Sequence, residues 1–188
     1  MKIMNRKSVA ISAGICALFL FTGFNNNLHT GTQYHSERTE PVGVTYVIVD
    51  KSDYELKVYD EEGWYATYPA VFGSKDLSDK MMEGDKKTPE GSFKIISKRR
   101  HEKWHKMLVL DYPNTESWAK FKQRKASGQI PRQAKIGGGI AIHGTWPNDN
   151  IVVDDFTNWT QGCVSIKNDD LDEVYDMLPI GTRVIIRK

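Results

Sequence analysis

The fold class follows from residues 44–72, VTYVIVDKSDYELKVYDEEGWYATYPAVF. β-branched and aromatic residues recur at every second position in three runs of this stretch, a period that is typical of strands with one buried face. We expect these strands over Val44–Asp50, Glu55–Tyr59 and Trp64–Phe72. Polar turns separate them at Lys51-Ser52-Asp53 and Glu61-Glu62-Gly63. The stretch is therefore predicted as a meander of strands joined by hairpin turns.

The chain after this stretch continues with strands and one clear helix. Gly73–Lys87 is polar, contains glycine and has no strand period, so it is predicted as a loop. Four further strands are expected, at Ser92–Ser97, Met107–Asp111, Ile140–His143 and Thr182–Arg187. Thr115–Ala126 consists of helix-forming residues with Trp118 and Phe121 spaced by three, and Ser127-Gly128 ends this helix.

A second helix is expected from Asn168, which we predict as its N-cap because Asp169 and Asp170 follow in the first turn. Its apolar residues recur at i, i+3, i+4 and i+7, at Leu171, Val174, Tyr175 and Leu178. Pro179 and Gly181 end it. The whole pattern predicts a mainly β fold, a β-sandwich or meander with one or two short helices.

The N-terminal part of the chain is expected to lie outside this domain. Three cations come first, at Lys2, Arg6 and Lys7. Residues 8–24 are an uncharged run rich in Ile, Ala, Leu and Phe, and this layout is typical of an export signal. We predict residues 1–24 as a signal peptide or an N-terminal membrane anchor, 25–43 as a flexible linker and 44–188 as the folded domain. The protein is therefore expected to be exported, to the periplasm or the cell wall, and the N-terminal segment to contact the membrane.

Composition indicates one ordinary globular domain. The chain has 188 residues, of which 39% are hydrophobic and 27% charged, with a formal net charge of +2. Once the targeting segment is set aside, this length is enough for one domain with one core. The basic stretch Lys98-Arg99-Arg100 is short and favours a solvated turn. No nucleic-acid partner is expected from this charge balance.

One cysteine, Cys163, remains outside the apolar N-terminal run. In an oxidising compartment it has no partner within the chain, which favours pairing between chains or a free thiol with a function. His143 can take the thiol proton, since the thiolate is the nucleophile. Gly162 lets the chain turn sharply, so that its N–H and that of Cys163 can face a developing oxyanion. No acid lies beside His143, so the Gly144 carbonyl is the candidate that orients its ring; a core histidine and a buried thiol are the alternative.

Two other motifs carry weaker hypotheses. His101–His105 matches the H-E-x-x-H string of zinc peptidases, but that motif needs a helix, and a strand pattern starts at Met107. Asp154 and Asp155 are adjacent, which favours a solvated loop over a glycosidase carboxylate pair. Aromatic rings suit contact with sugar and peptide. Four side chains are candidate walls of a substrate groove: His105, Trp118, Trp146 and Trp159. For the three tryptophans, core or interface packing is the alternative.

Several ordered motifs resemble the L,D-transpeptidase catalytic domain family (YkuD domain). Ile142-His143-Gly144-Thr145 and Thr160-Gln161-Gly162-Cys163-Val164, separated by Gly144–Trp159, resemble its histidine and cysteine elements. Thr88-Pro89-Glu90-Gly91-Ser92-Phe93 resembles its Thr-Pro-x-Gly-x-Phe element. Tyr112-Pro113-Asn114 is similar to a stretch found in one branch. The resemblance covers the whole predicted domain.

The resemblance implies a two-step acyl transfer on peptidoglycan stem peptides. This reaction would contribute to cell-wall organisation and cell shape. Cys163 would attack the carbonyl of the third residue of the stem peptide, the terminal D-Ala would leave, and a thioester would form. An amine would then resolve this thioester. His143 would act first as base and then as acid. The same cysteine would react with carbapenem inhibitors, and no metal or cofactor would be needed. Gly162 and Gln161 would belong to the oxyanion region. Further substrate contacts are predicted at Thr145, Thr160 and Ser165.

Two positions depart from the family pattern. Gln161 stands where many members have a second histidine, and Ser165 where many have Arg or Asn. Because His143 matches the base of the family, Gln161 should leave acid–base chemistry intact. The branch with Tyr-Pro-Asn often lacks the second histidine and includes hydrolases. One alternative is therefore an L,D-carboxypeptidase or amidase with the same site. The other is a non-catalytic wall-binding module, but the presence of both Cys163 and His143 argues against it.

Overall fold

The computed structural model of this protein describes residues 34–188. The predicted signal peptide or anchor, residues 1–24, and the first part of the predicted linker, residues 25–33, lie outside the described residues. Between residues 34 and 188, the structure contains no helix with the length and apolarity that crossing a membrane requires.

The described chain is mainly β, as predicted. Its nine strands are β1 (Tyr34–His35), β2 (Tyr46–Asp50), β3 (Glu55–Asp60), β4 (Gly63–Pro69), β5 (Gly91–His101), β6 (His105–Leu110), β7 (Ala141–His143), β8 (Val164–Ser165) and β9 (Arg183–Arg187). They form one sheet in the order β1-β4-β3-β2-β9-β5-β6-β7-β8. The three predicted strands of the opening meander are confirmed, with ends shifted by a few residues. Lys98-Arg99-Arg100 was expected in a turn and instead lies inside β5, because that strand runs on for 11 residues.

Two helices and one helical turn complete the described fold: α1 (Thr115–Ala126), α2 (Ile151–Asp154) and α3 (Asn168–Met177). The predicted bounds of α1 are confirmed, and the Asn114 side chain caps it by accepting the Ser117 N–H. The prediction of Asn168 as a cap is wrong. Lys167 occupies that position, and the Asn168 Oδ1 atom instead accepts the Thr145 N–H at 3.0 Å.

Strand β5 connects the two parts of the sheet. Its first half, Gly91–Lys94, pairs with β9, which lies parallel to β2. Its second half, from Ile95 to His101, pairs with β6. The register of this pairing is irregular between Ile95 and Ser97. Strands β7 and β8 follow β6 at the far end. The opening meander and the predicted site residues are therefore linked through one long strand.

Backbone hydrogen bonds also join the end of the meander directly to β8. Val71, just after β4, exchanges two of them with Ser165: Val71 N to Ser165 O at 2.9 Å, and Ser165 N to Val71 O at 2.8 Å. This bridge holds the segment around Cys163 between β7 on one side and Val71 on the other. The apolar faces of the strands enclose a shared core, to which Leu171 and Val174 of α3 contribute.

The prediction of a flexible linker up to residue 43 is wrong for its described part. Strand β1 pairs with β4, with Tyr34 opposite Thr67. Arg38 Nη1 lies 2.7 Å from Oδ2 of the buried carboxylate of Asp60, and that oxygen also accepts the Val42 N–H at 2.8 Å. Residues 34–43 therefore form a strap along the meander, because these contacts offset the entropy of ordering them.

The predicted loop Gly73–Lys87 has neither helix nor strand. Its conformation is set by the largely buried Asp85 carboxylate, which accepts hydrogen bonds from Lys80 Nζ at 2.7 Å and from three backbone N–H groups. Gly73 begins the loop where there is no room for a side chain, since a Cβ atom would lie 2.7 Å from Gly162 N. The loop is therefore packed directly against the turn that precedes Cys163.

Candidate active site

The register of β7 and β8 brings His143 and Cys163 together. The two strands are parallel, with Ile142 paired to Val164 and His143 to Ser165. Paired residues point to the same face of a sheet, as do residues two apart along a strand. Cys163, two residues before Ser165, therefore lies diagonally opposite His143 on the same face, at a Cα separation of roughly 8 Å given the usual strand spacings.

The turn before Cys163 is built around Thr160. The Thr160 Oγ1 atom accepts the Gly162 N–H at 3.1 Å and donates to the Cys163 carbonyl oxygen at 2.8 Å. Gly162 has φ 126°, and a Cβ atom there would lie 2.7 Å from the Lys87 carbonyl oxygen. Glycine is therefore required at this position for both its conformation and its size.

The Cys163 thiol lies over the backbone that leads into β7. Its Sγ atom donates a hydrogen bond to the Gly139 carbonyl oxygen at 3.5 Å. Burial raises the pKa of the Cys163 thiol above its ordinary value, and the Ala141 N–H opposes this rise only in part. The resting group near neutral pH is thus the thiol, which must lose its proton during attack.

The His143 ring is oriented by the next residue. Its Nδ1 atom lies 2.7 Å from the Gly144 carbonyl oxygen, the contact expected from the sequence. A carbonyl can only accept, so Nδ1 carries the proton and the Nε2 lone pair is left to act as a base. Burial lowers the pKa of His143 to about 4; the Gly144 carbonyl opposes this shift and the nearby His101 adds to it. Thiol and imidazole are therefore both neutral near pH 7.

Two tryptophans contact the buried His143 ring, and a third packs against both of them. Trp104 stacks on it, with ring centroids 4.9 Å apart and an interplanar angle of 24°. Trp159 meets it edge-on at 5.5 Å, and Trp146 contacts both tryptophans at about 6.5 Å between centroids. Trp159, predicted as a groove wall, therefore contacts the candidate base, and Trp146, also predicted as a groove wall, packs against Trp159. An apolar enclosure of this kind disfavours the charged imidazolium.

Three predicted substrate contacts are corrected by their burial. The side chains of Thr145, Thr160 and Ser165 are each at most 4% exposed. Thr145 Oγ1 bonds to Asn150 Oδ1 at 2.8 Å, and Ser165 Oγ donates to the Gly144 carbonyl oxygen at 3.3 Å. Their hydroxyls make hydrogen bonds within the site and are buried.

The predicted oxyanion region is also revised. The Gly162 N–H donates to Thr160 and is engaged inside the turn, which leaves the Cys163 N–H as the candidate donor. Gln161 is exposed. The structure therefore gives Gly162 a conformational role in this region.

The H-E-x-x-H string forms a hairpin, so the zinc peptidase hypothesis is wrong. His101 ends β5, His105 begins β6, and the two residues are register partners. Residues 34–188 contain no group of three or more His, Cys, Asp or Glu side chains placed to hold a metal ion. His105 Nε2 lies 2.6 Å from Asp172 Oδ1 and lines a cavity of about 500 Å³ beyond the hairpin.

Sequence reasoning missed several residues that shape the site. Trp104 lies inside the H-E-x-x-H string, where no apolar period marks it as a contact of His143. Asn158 Oδ1 accepts the Phe72 N–H at 2.7 Å, and the Asn158 amide nitrogen donates to Tyr54 and Ser74. Asn158 therefore connects the segment before Cys163 to the meander. Asn168 was assigned to a helix cap. No periodicity marks such contacts, which join residues up to 104 positions apart.

The geometry now described has a family counterpart. Residues 44–186 match the L,D-transpeptidase catalytic domain family, YkuD. The chain belongs to this family. Its L,D-transpeptidase domain is 28% identical over 148 residues to the proposed L,D-transpeptidase YqjB of Bacillus subtilis (strain 168), covering 77% of this chain and 72% of YqjB.

Solved structures have the same fold as this L,D-transpeptidase domain. The helical cell shape determining protein Pgp2 from Campylobacter jejuni matches with a TM-score of 0.56 and 26% identity, over 85% of this chain and 51% of Pgp2. Bd1075 from Bdellovibrio bacteriovorus matches with a TM-score of 0.53 and 22% identity, over 84% of this chain and 52% of Bd1075. The chain thus spans about half the length of these two structures.

Proposed function

We propose that this protein is a peptidoglycan L,D-transpeptidase that works through a Cys163 thioester. The observation that carries the proposal is the His143 ring, held by the Gly144 carbonyl with Nε2 as its basic atom, on the same face of the sheet as Cys163. A nucleophile, a base and a group that orients the base are the parts that cysteine acyl transfer requires. Membership of the L,D-transpeptidase family supports the choice of substrate.

The first half-reaction acylates the enzyme. His143 Nε2 takes the Cys163 proton as Sγ attacks the carbonyl carbon of the third stem residue, so that the imidazolium exists only while the oxyanion does. The Cys163 N–H donates to that oxyanion. The peptide C–N bond then breaks, His143 gives its proton to the departing D-Ala amine, and the thioester remains.

The second half-reaction transfers the acyl group. An amine of a neighbouring stem attacks the thioester carbon, His143 takes the amine proton, and the C–S bond breaks as the proton returns to Sγ. The product is a new amide cross-link. If water attacks in place of the amine, the same residues give a carboxypeptidase, the alternative that the Tyr112-Pro113-Asn114 resemblance keeps open.

We further propose that the protein acts outside the cytoplasm, in the periplasm or the cell wall, and contributes to cell shape. The charge and apolar pattern of residues 1–24 supports export. The likeness to Pgp2, a helical cell shape determining protein, supports the second part. The free, functional cysteine fits an exported protein that has no second cysteine in its folded domain.

The test is incubation of the full chain with tetrapeptide muropeptides, followed by mass spectrometry, beside Cys163→Ala and His143→Gln variants. Loss of one D-Ala together with a new cross-link, absent in both variants, is the expected result. Loss of D-Ala without a cross-link would establish a hydrolase instead. Unchanged muropeptides, together with no carbapenem adduct on the peptide that contains Cys163, would overturn the proposal in favour of a wall-binding module.

A further inference from the structure

Trp104 stacks on two histidine rings. Its ring is parallel to that of His101, with centroids 4.4 Å apart and an interplanar angle of 6°. It also stacks on His143, with centroids 4.9 Å apart and an interplanar angle of 24°. The indole therefore joins the buried ring of the candidate base to the partly exposed ring of His101.

The backbone of Trp104 braces the same base through Gly144. The Gly144 N–H donates to the Trp104 carbonyl oxygen at 3.2 Å, while the Gly144 carbonyl oxygen lies 2.7 Å from His143 Nδ1. One residue therefore contacts the imidazole through its ring and holds, through its main chain, the peptide that orients that imidazole.

The position of Trp104 is set by the hairpin between β5 and β6. Its N–H and that of Lys103 both reach the Nδ1 atom of His101, at 3.3 and 3.2 Å, which closes a tight turn. His105 resumes the strand with φ 60°, in the left-handed region. Two positions further on, Met107 pairs with His143 across β6 and β7. The turn thus delivers the indole over the base.

The face of the indole, and not its N–H, makes these contacts. Within residues 34–188, the Trp104 Nε1 atom is buried and has no hydrogen-bond partner. An unpaired buried donor destabilises a protein. The contacts of Trp104 with the two histidines therefore come from the flat apolar surface of its ring, which a phenyl ring can supply in part.

We propose that Trp104 is a positioning residue for His143, with His101 as its outer support. This inference rests on the proposed function, in which His143 is the base. The hydrogen bond to Gly144 fixes one edge of the imidazole, and the indole face fixes the plane of the ring, so that Nε2 points at the thiol. Displacing a base by about 1 Å can lower a rate by roughly a hundredfold.

Two matched pairs of variants test this role in the full chain. Trp104→Leu removes the flat face and should lower kcat on muropeptides by at least tenfold, with KM changed by less than about threefold, since no substrate contact is lost. Trp104→Phe keeps a ring and should retain most of kcat. His101→Phe should likewise retain more kcat than His101→Ala. Equal kcat in Trp104→Leu and wild type would overturn the proposal.

A second readout separates this proposal from the proposed function. In wild type, the carbon-bound protons of His143 lie over the indole and should show upfield ring-current shifts in NMR spectra, with the imidazole in the Nδ1–H tautomer. Trp104→Leu should abolish those shifts and mix the tautomers; Trp104→Phe should preserve the tautomer. These spectra need no turnover, so they test positioning even if muropeptides are unchanged. Retention of the single Nδ1–H tautomer in Trp104→Leu would refute it.

Discussion

The Gly144 carbonyl oxygen lies 2.7 Å from Nδ1 of His143, and this neutral group takes the place that a carboxylate holds in many catalytic triads. A carbonyl orients the ring but gives an imidazolium less electrostatic support than a carboxylate would. Burial therefore outweighs the hydrogen bond to Gly144, and it lowers the pKa of His143 to about 4. The Cys163 thiol and the His143 imidazole are therefore both neutral near pH 7, a property that pH and substitution can test.

The buried neutral imidazole makes stability depend on pH. The pKa of His143 is about 4 in the folded protein against an ordinary 6.5, so the unfolded chain binds the extra proton first. Stability from this group is complete above pH 6.5 and is lost as the pH falls towards 4, by roughly 3 kcal/mol. Urea unfolding at a series of pH values measures the loss.

Carboxylates titrate over part of the same range, so the matched measurement is His143→Gln. Its free energy of unfolding should fall less steeply between pH 6.5 and 4 than that of wild type. Parallel curves for the two proteins would mean that His143 is not a buried neutral base.

The Cys163 thiol should be slow towards a neutral alkylating reagent. Burial raises its pKa, so little thiolate exists at pH 7, and thiolate is the reacting species. We expect iodoacetamide to modify Cys163 more slowly in the folded protein than in urea. In the folded protein, the rate should increase only when the pH exceeds the ordinary pKa of a thiol. The chain contains two cysteines, so the rate is followed by mass spectrometry on the peptide with Cys163. Fast modification of the folded protein at pH 7 would point to a preformed thiolate.

The Thr160 hydroxyl should be required for activity although it is buried. It joins Gly162 N and the Cys163 carbonyl, so Thr160→Val leaves two backbone groups without their partner. We expect Thr160→Val to lower kcat at least tenfold and the free energy of unfolding by about 1–3 kcal/mol. Thr160→Ser, which keeps the hydroxyl, is the control and should stay near wild type in both. A Thr160→Val variant with the kcat and the free energy of unfolding of wild type would contradict this role of the hydroxyl.

Gly144 should tolerate no side chain. A Cβ atom there would lie 2.1 Å from Asn168 Oδ1 and 3.1 Å from the Trp104 carbonyl oxygen. Gly144→Ala should therefore lower the melting temperature and abolish turnover, because it displaces the carbonyl that orients His143. Gly138→Ala is the matched control, since its nearest contact would be 3.8 Å away. A fully active Gly144→Ala enzyme would contradict this account of the site.

The strap of residues 34–43 should contribute to stability without taking part in the chemistry. Arg38→Ala leaves the buried Asp60 carboxylate without its cation, so a decrease in melting temperature is expected, measured by circular dichroism. Arg132→Ala, at an exposed position, serves as the control. kcat at 25 °C should be unchanged in both. A melting temperature equal to that of wild type would show that the strap is only loosely attached.

Local patterns predicted most of the secondary structure. The alternation in residues 44–72 anticipated β2, β3 and β4, and the bounds of α1 agree with prediction to the residue. Both features depend on neighbours in sequence, which is why composition and period reveal them. The errors fell where contacts are distant: the strap is ordered by Asp60, and Asn168 turns away from its helix towards Thr145.

The sequence by itself determined that this is a mainly β L,D-transpeptidase domain and marked Cys163, His143 and Gly144 as the candidate site, because glycine-flanked strand ends and ordered motifs are local properties. Only the tertiary structure decided which side chains surround that site. The pairing of β7 with β8 sets the face that His143 and Cys163 share, and the β5–β6 hairpin places Trp104 over the imidazole. Strand register and ring stacking arise from packing between segments far apart in the chain, and no spacing along the sequence encodes them.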